Sequence, residues 1–216
     1  LREIHLVGGQ SPGKKRATSL YFGGGTPALA ADRLAQLIAA LEEHFIITQG
    51  VGVELHPDNV TVPTLQALKR AGVTKLSIGI QSFQPEHQRT LGRPAPDRAA
   101  MAEALSQVPF ETVSMDFIFA LPGQTLDHLR ADLDAAFQCG ANHVAIYPFI
   151  DFSFTSSAVP PMSRREKRAL LDGITRWCLE RGCTRTSIWT FSRGGAGYSS
   201  MTRDNFLGFG CSAATL

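Results

Sequence analysis

A chain of 216 residues, 44% hydrophobic and 19% charged, has the make-up of a soluble globular protein with room for one large core, or one core with an appendage. A net charge of +2, with no basic run at either end, argues against a nucleic-acid partner, and no apolar stretch approaches the ~20 residues of a membrane span. No signal-peptide pattern opens the chain, and Cys139, Cys178, Cys183 and Cys211 show neither CxxC nor metal-ligand spacing, so the expectation is free thiols in a reducing cytoplasm.

Short apolar strands alternate with amphipathic helices from about residue 17 to 151. A strand at 19–22 runs into Gly23-Gly24-Gly25-Thr26-Pro27. From Asp32, the stripe Leu34, Leu37, Ile38, Leu41 and Phe45 predicts a helix. A strand at 51–53 ends at Glu54, and Thr61 with Pro63 opens a helix through Leu65 and Leu68 that stops at Gly72. A strand at 75–80 runs into Gln81, and Asp97 caps a helix carrying Met101, Ala104, Leu105 and Val108. The strand at 113–115 ends at Asp116, and Thr125 opens a helix with Leu126, Leu129, Leu133 and Phe137 inward and Gly140 as its stop. The strand at 143–146 ends at Tyr147. Residues 151–161 (DFSFTSSAVPP) break the rhythm as a linker or substrate loop. Ser163 and Glu166 then form a capping box before a helix with Leu170, Leu171, Ile174 and Trp177, ending at Gly182. A strand at 186–191, a Gly/Ser-rich loop at 192–203 and an apolar element at 206–216 complete the reading. The chain divides into residues 1–151 and a substrate-side extension, 152–216.

Gly25, Glu54, Gln81, Asp116 and Tyr147 mark the strand ends at intervals of 29, 27, 35 and 31 residues. An eight-unit α/β barrel of ~250 residues averages ~31 per unit, so the five ends are expected around one mouth of parallel strands joined by right-handed crossovers. Three glycines followed by Thr-Pro exceed what a tight turn needs; they free backbone N–H groups for a ligand. Neither dinucleotide nor P-loop glycine spacing is present. Glu54 and Asp116 suit a cationic or hydroxyl-rich ligand. By itself, Gln81 is ambiguous and Arg93 reads as a surface arginine. The six histidines show no metal-site spacing, so no metal site is expected from this chain's own residues. A hydrolytic or aldol-type enzyme lacks a nucleophile–base pair or a strand-end lysine; a non-catalytic ligand-binding barrel stays open.

YFGGGTP, VELHP, GIQSF with LGR ending twelve residues after Gln81, and MDFIFALPGQT resemble, in this order and spacing, the radical S-adenosylmethionine enzymes related to oxygen-independent coproporphyrinogen III oxidase. The resemblance covers nearly the whole chain. It implies an α/β partial (β/α)6 barrel, here lacking its first strand and cluster loop, with a C-terminal α/β extension. It also implies cofactors: S-adenosylmethionine, two copies in some members, and a [4Fe–4S] cluster that cleaves it to a 5′-deoxyadenosyl radical. Gly23, Gly24, Gly25 and Thr26 match the loop for the methionine amino group. Glu54, Arg93 and Asp116 match positions for the methionine carboxylate and ribose. Ile118, Tyr147 and Ile150 match adenine-lining positions, and Gln81 a residue near a second S-adenosylmethionine.

The family's CxxxCxxC cluster loop is absent, and no cysteine present can replace it by spacing. The chain opens without methionine and stops on an apolar run, so both ends read as cut and the cluster cysteines are expected upstream of Leu1. The resemblance further implies a small-molecule substrate and an electron donor such as flavodoxin or ferredoxin. The family's haem-chaperone members carry an HNxxYW motif, which MTRDNF at 201–206 lacks. The aromatic set Tyr147, Phe149, Phe152 and Phe154 suits a flat apolar substrate. The first expectation is methyl or methylene transfer from a second S-adenosylmethionine; coproporphyrinogen III oxidation is the alternative, and a non-catalytic haem- or S-adenosylmethionine-binding relative a third.

Overall fold

The computed structural model describes residues 1–10, 12–150, 162–194, 205–211, 213 and 215. The expected linker at 151–161, including Phe152 and Phe154, most of the glycine-rich loop and the MTRDNF segment up to Asp204 lie outside the described residues.

Helix α1 (Arg2–Gly8) precedes the short strands β1 (Lys15–Ala17) and β2 (Leu20–Phe22). A 3-10 turn, Pro27–Ala30, leads into α2 (Ala31–His44), followed by β3 (Phe45–Ile47), β4 (Val51–Leu55), α3 (Val62–Arg70) and β5 (Lys75–Gln81). Next come α4 (Pro85–Thr90), α5 (Arg98–Gln107), β6 (Thr112–Phe119), α6 (Leu126–Gln138) and β7 (His143–Pro148). Helix α7 (Arg164–Glu180), β8 (Thr184–Arg185) and β9 (Thr190–Ser192) close the described part.

The main sheet has seven strands in the order β2-β4-β5-β6-β7-β9-β8. Its first five run parallel and neighbour one another in sequence order, as the βα rhythm requires. β9 pairs antiparallel with β7 and β8 with β9, so the segment after 151 adds to the same sheet. The fold is mixed α/β with a mainly parallel sheet.

Strand alternation gives the sheet two unlike faces. One presents Val53, Leu76, Ile78, Met115, Phe117, Val144 and Ile146, all at most 1% exposed, in a single core with Leu65, Leu68, Leu129, Leu133 and Ile174 of the helices. The other presents Glu54, Ser77, Ser114 and Asp116, with Glu54 beside Ser77, Ser77 beside Ser114 and Ser114 beside His143 in register.

The expected helix signals hold in detail. Thr61, Asp97, Thr125 and Ser163 each accept a bond from a first-turn backbone N–H, and Gly72, Gly140 and Gly182 follow their helices at φ of 95°, 98° and 73°. Three expectations fail. Asp116 does not end its strand, because β6 runs on to Phe119 through three more register pairs with β7. Phe45 belongs to β3, not to the helix before it, because Phe45-Ile46-Ile47 pairs in register with Lys15-Arg16-Ala17. The strand expected at 186–191 is two short strands around a turn, where Arg185 donates to the carbonyls of Ser187 and Ile188 and Thr190 Oγ1 bonds Ser187 Oγ. Side-chain–backbone bonds of this kind compete with a continuous ladder. Among the described residues no helix is long and apolar enough to cross a membrane.

Candidate functional site

The glycine loop and Glu54 are built around each other. Glu54 ends β4 beside the β2 terminus; Tyr21 Oη donates to its Oε1 at 2.6 Å and the Gly24 N–H to its Oε2 at 3.1 Å. A Cβ at Gly23 would lie 2.9 Å from the Glu54 carboxylate and 3.0 Å from the Tyr21 ring, so any side chain there would push that carboxylate aside. Gly24 and Gly25 adopt φ of 78° and 67°, which L side chains rarely tolerate, and their α-carbons face open space. Thr26 precedes the 3-10 turn and its carbonyl accepts from Leu29 N–H.

Asp116 sits two strands away on the same face. Ser77 Oγ donates to its Oδ2 at 2.6 Å and Ser114 Oγ to its Oδ1 at 3.1 Å. The single Ser114 hydroxyl proton is thereby used, so His143 Nδ1, 2.9 Å from Ser114 Oγ, is the donor in that contact. Burial pushes the Asp116 carboxyl up to about 6; the Ser77 and Ser114 bonds pull it back down, and the negative charge of Glu54 adds to the rise. This carboxyl titrates near neutrality while remaining a hydrogen-bond acceptor for a ligand.

Gln81 ends β5 at φ 69°, beyond a register shift after Gly79. Its amide nitrogen would lie 3.0 Å from a Cβ at Gly79, so the side chain folds back over that glycine. Arg93, which reads from sequence as a surface residue, brings Nη1 to 3.4 Å from the Gly79 carbonyl at the same strand end. Ile118 and Tyr147 are register partners on β6 and β7, on the Asp116 face. Ile150 lies past the end of β7 and is 61% exposed, outside this paired set.

Tyr21, Ser77 and Ser114 hold the two carboxylates and His143 backs Ser114; none of the four was singled out by sequence reasoning. The signal was there: polar residues at alternate positions of apolar strands are buried, and buried polar groups need partners. A second polar cluster lies just beyond β5, where Asp132 of α6 accepts from Ser82 Oγ, Phe83 N–H and Gln84 Nε2 at 2.7, 2.8 and 3.0 Å.

Residues 10–136 match the model of the radical SAM superfamily. The chain belongs to that superfamily. It is 36% identical to the "Heme chaperone HemW" of Mycobacterium tuberculosis over 138 residues, covering 61% of this chain and 35% of that protein. It is 32% identical to the "Oxygen-independent coproporphyrinogen III oxidase" of Cereibacter sphaeroides over 173 residues, covering 77% of this chain and 36% of that protein. The crystal structure of Escherichia coli coproporphyrinogen III oxidase, HemN, shares the fold with a TM-score of 0.76 at 21% identity, covering 93% of this chain and 52% of that one. The radical SAM chain thus spans about a third to a half of the length of these relatives.

The superfamily implies S-adenosylmethionine and a [4Fe–4S] cluster. The glycine loop, carboxylates and guanidinium fit the first. The cysteines do not fit the second: Cys139 Sγ lies against the Arg98 carbonyl, Cys178 and Cys183 are buried around the end of α7, and Cys211 is exposed. Among the described residues no three cysteines gather around the position of one metal ion.

Proposed function

We propose that this chain is the S-adenosylmethionine-binding part of an enzyme that oxidises the propionate side chains of a porphyrinogen. The observation that carries this reading is the reach of the similarity: the coproporphyrinogen oxidase relative aligns over 77% of the chain, the haem chaperone over 61%. The expectation of methyl transfer finds no support in these relatives, whose names are those of an oxidase and a chaperone.

S-adenosylmethionine supplies, when bound, the radical chemistry of the superfamily. The residues here bind and orient it. A carboxylate repels a carboxylate, so the two anions and the cation divide the ligand among them. Glu54 and the backbone carbonyls of the Gly23–Thr26 loop take the methionine ammonium end, and Arg93 takes the methionine carboxylate. Asp116 accepts from the ribose hydroxyls, while Ile118, Tyr147 and Ile150 offer apolar surface to adenine. Gln81 folds over Gly79, whose carbonyl meets Arg93 and whose register partner is Asp116, and it would meet a second ligand beside the first. A small-molecule substrate and a one-electron donor protein complete the reaction.

The test uses full-length protein under anaerobic conditions with coproporphyrinogen III and methyl-deuterated S-adenosylmethionine. The expected result is carbon dioxide release with deuterium-free 5′-deoxyadenosine. Deuterium in both 5′-deoxyadenosine and the product would restore methyl transfer. Stoichiometric haem binding without carbon dioxide release would favour the chaperone reading, which the 36% identity to HemW keeps in view.

A further inference from the structure

We propose that Glu86, His87 and His128 form a site for a divalent transition cation of the zinc class, pinning the segment after β5 to the first turn of α6. The two histidines are 41 positions apart, which is why spacing in the sequence gives no metal signal. In the structure, candidate ligand atoms of the three residues all lie within 4.8 Å of one another. His87 Nε2 and His128 Nδ1 are 3.1 Å apart. Two imidazole nitrogens on one tetrahedral zinc, each ~2.0–2.1 Å from the metal, are separated by roughly 3.3 Å. The Glu86 carboxylate lies 3.8 Å from the other nitrogen of His128, and its side chain is half exposed.

The pair is held on both sides by the fold. His87 is 3% exposed on α4, and the turn before it is fixed through Ser82, Phe83 and Gln84 to Asp132 on α6, one turn beyond His128. Three protein ligands with partly exposed Glu86 and His128 leave a coordination position open to water and a path of entry.

The proton count is simple. Without metal, His128 Nδ1 accepts from the Thr125 N–H at 3.4 Å, so the proton between the rings sits on His87 Nε2. On binding, that proton moves to His87 Nδ1 by tautomer exchange, and His128 gives up the long Thr125 contact. No net proton is released from the neutral rings. The segment held this way includes Arg93, whose N–H bonds the Gln88 carbonyl next to His87. The other cluster of this kind, His5, Glu43 and His44, has His5 and Glu43 exposed and serves as the internal control.

The experiment is zinc binding by the full-length protein, with affinity from chelator competition and the donor set from zinc K-edge X-ray absorption, which an iron cluster does not obscure. One zinc with two imidazole nitrogens, oxygen donors and no sulfur is expected. His87→Gln should weaken zinc at least tenfold, and a His5→Gln/His44→Gln double variant should leave it unchanged. Because His128 also caps α6, His128→Gln is read only beside its circular dichroism spectrum; His87→Gln, which removes no cap, decides alone. Absence of zinc binding, sulfur in the donor set, unchanged affinity in His87→Gln, or loss in the His5/His44 variant would each overturn the assignment.

Discussion

Ser77 of β5 reaches diagonally across to Asp116 of β6, past its own register partner Ser114, with the serine hydroxyl 2.6 Å from the carboxylate. This bond lowers a carboxyl that burial has raised. Ser77→Ala should therefore push the Asp116 carboxyl above its present value of about 6, and a Ser77→Ala/Ser114→Ala double variant further still. Carboxyl-carbon NMR titration checks this. A fall in the Asp116 value on removing the serines would mean that they do not hold its charged form.

Asp116 itself should give a pH signature. Its folded value of about 6 exceeds the ~3.9 of an unfolded aspartate, so the folded chain holds this proton more tightly. Its contribution to stability is then full below about pH 4 and is lost as pH rises through about 6. Relative to Asp116→Asn, the wild-type chain should lose stability over that window in urea titrations. S-adenosylmethionine binding should run the other way and strengthen as the carboxylate ionises. Asp116→Ala should cost about 1–3 kcal/mol of that binding by calorimetry, with little pH dependence remaining near 6.

The glycine loop makes a sharper case. Gly23→Ala places a Cβ 2.9 Å from the Glu54 carboxylate, which must move off its Tyr21 and Gly24 donors. S-adenosylmethionine binding should weaken about tenfold or more, equivalent to ~1.4 kcal/mol, while the denaturation midpoint changes little because the loop is exposed. Tyr21→Phe removes one charge-assisted bond and should weaken binding less. Equal affinities in all three proteins would detach Glu54 and its loop from the ligand.

What the sequence made legible follows from the range of each interaction. Helix starts at Thr61, Asp97, Thr125 and Ser163 depend on residues three positions away, so they could be read directly. The order of the parallel strands followed from the βα rhythm. Glu54, Asp116 and the glycine loop were visible because carboxylates within apolar strands and repeated glycines after one are unusual. Tyr21, Ser77, Ser114 and His143 were not, since each meets its carboxylate or serine partner from another strand or, for Ser114, within a row whose register only the sheet fixes. The β3 strand was lost for a similar reason: Phe45 continues the helical stripe, and only pairing with β1 takes it out of the helix.

Asp132 gives the clearest stability prediction, because its environment separates charge from hydrogen bonding. It is fully buried, with Oδ1 accepting from Phe83 N–H and Gln84 Nε2 and Oδ2 from Ser82 Oγ. Asp132→Ala strands all three donors in the interior. At about 1–3 kcal/mol for each unsatisfied buried group, a loss of roughly 3 kcal/mol or more is expected. Asp132→Asn keeps an oxygen for Phe83 and Gln84 and turns an amide N–H toward Ser82 Oγ, which already accepts from Gln84 N–H at 3.1 Å. The Ser82 hydroxyl proton and the second amide N–H then lack acceptors, so the cost should be smaller, about 2 kcal/mol. Urea denaturation of the two variants, at an unchanged slope, measures the difference directly. Equal losses would show that the charge of Asp132, rather than its acceptors, holds the turn after β5 against α6.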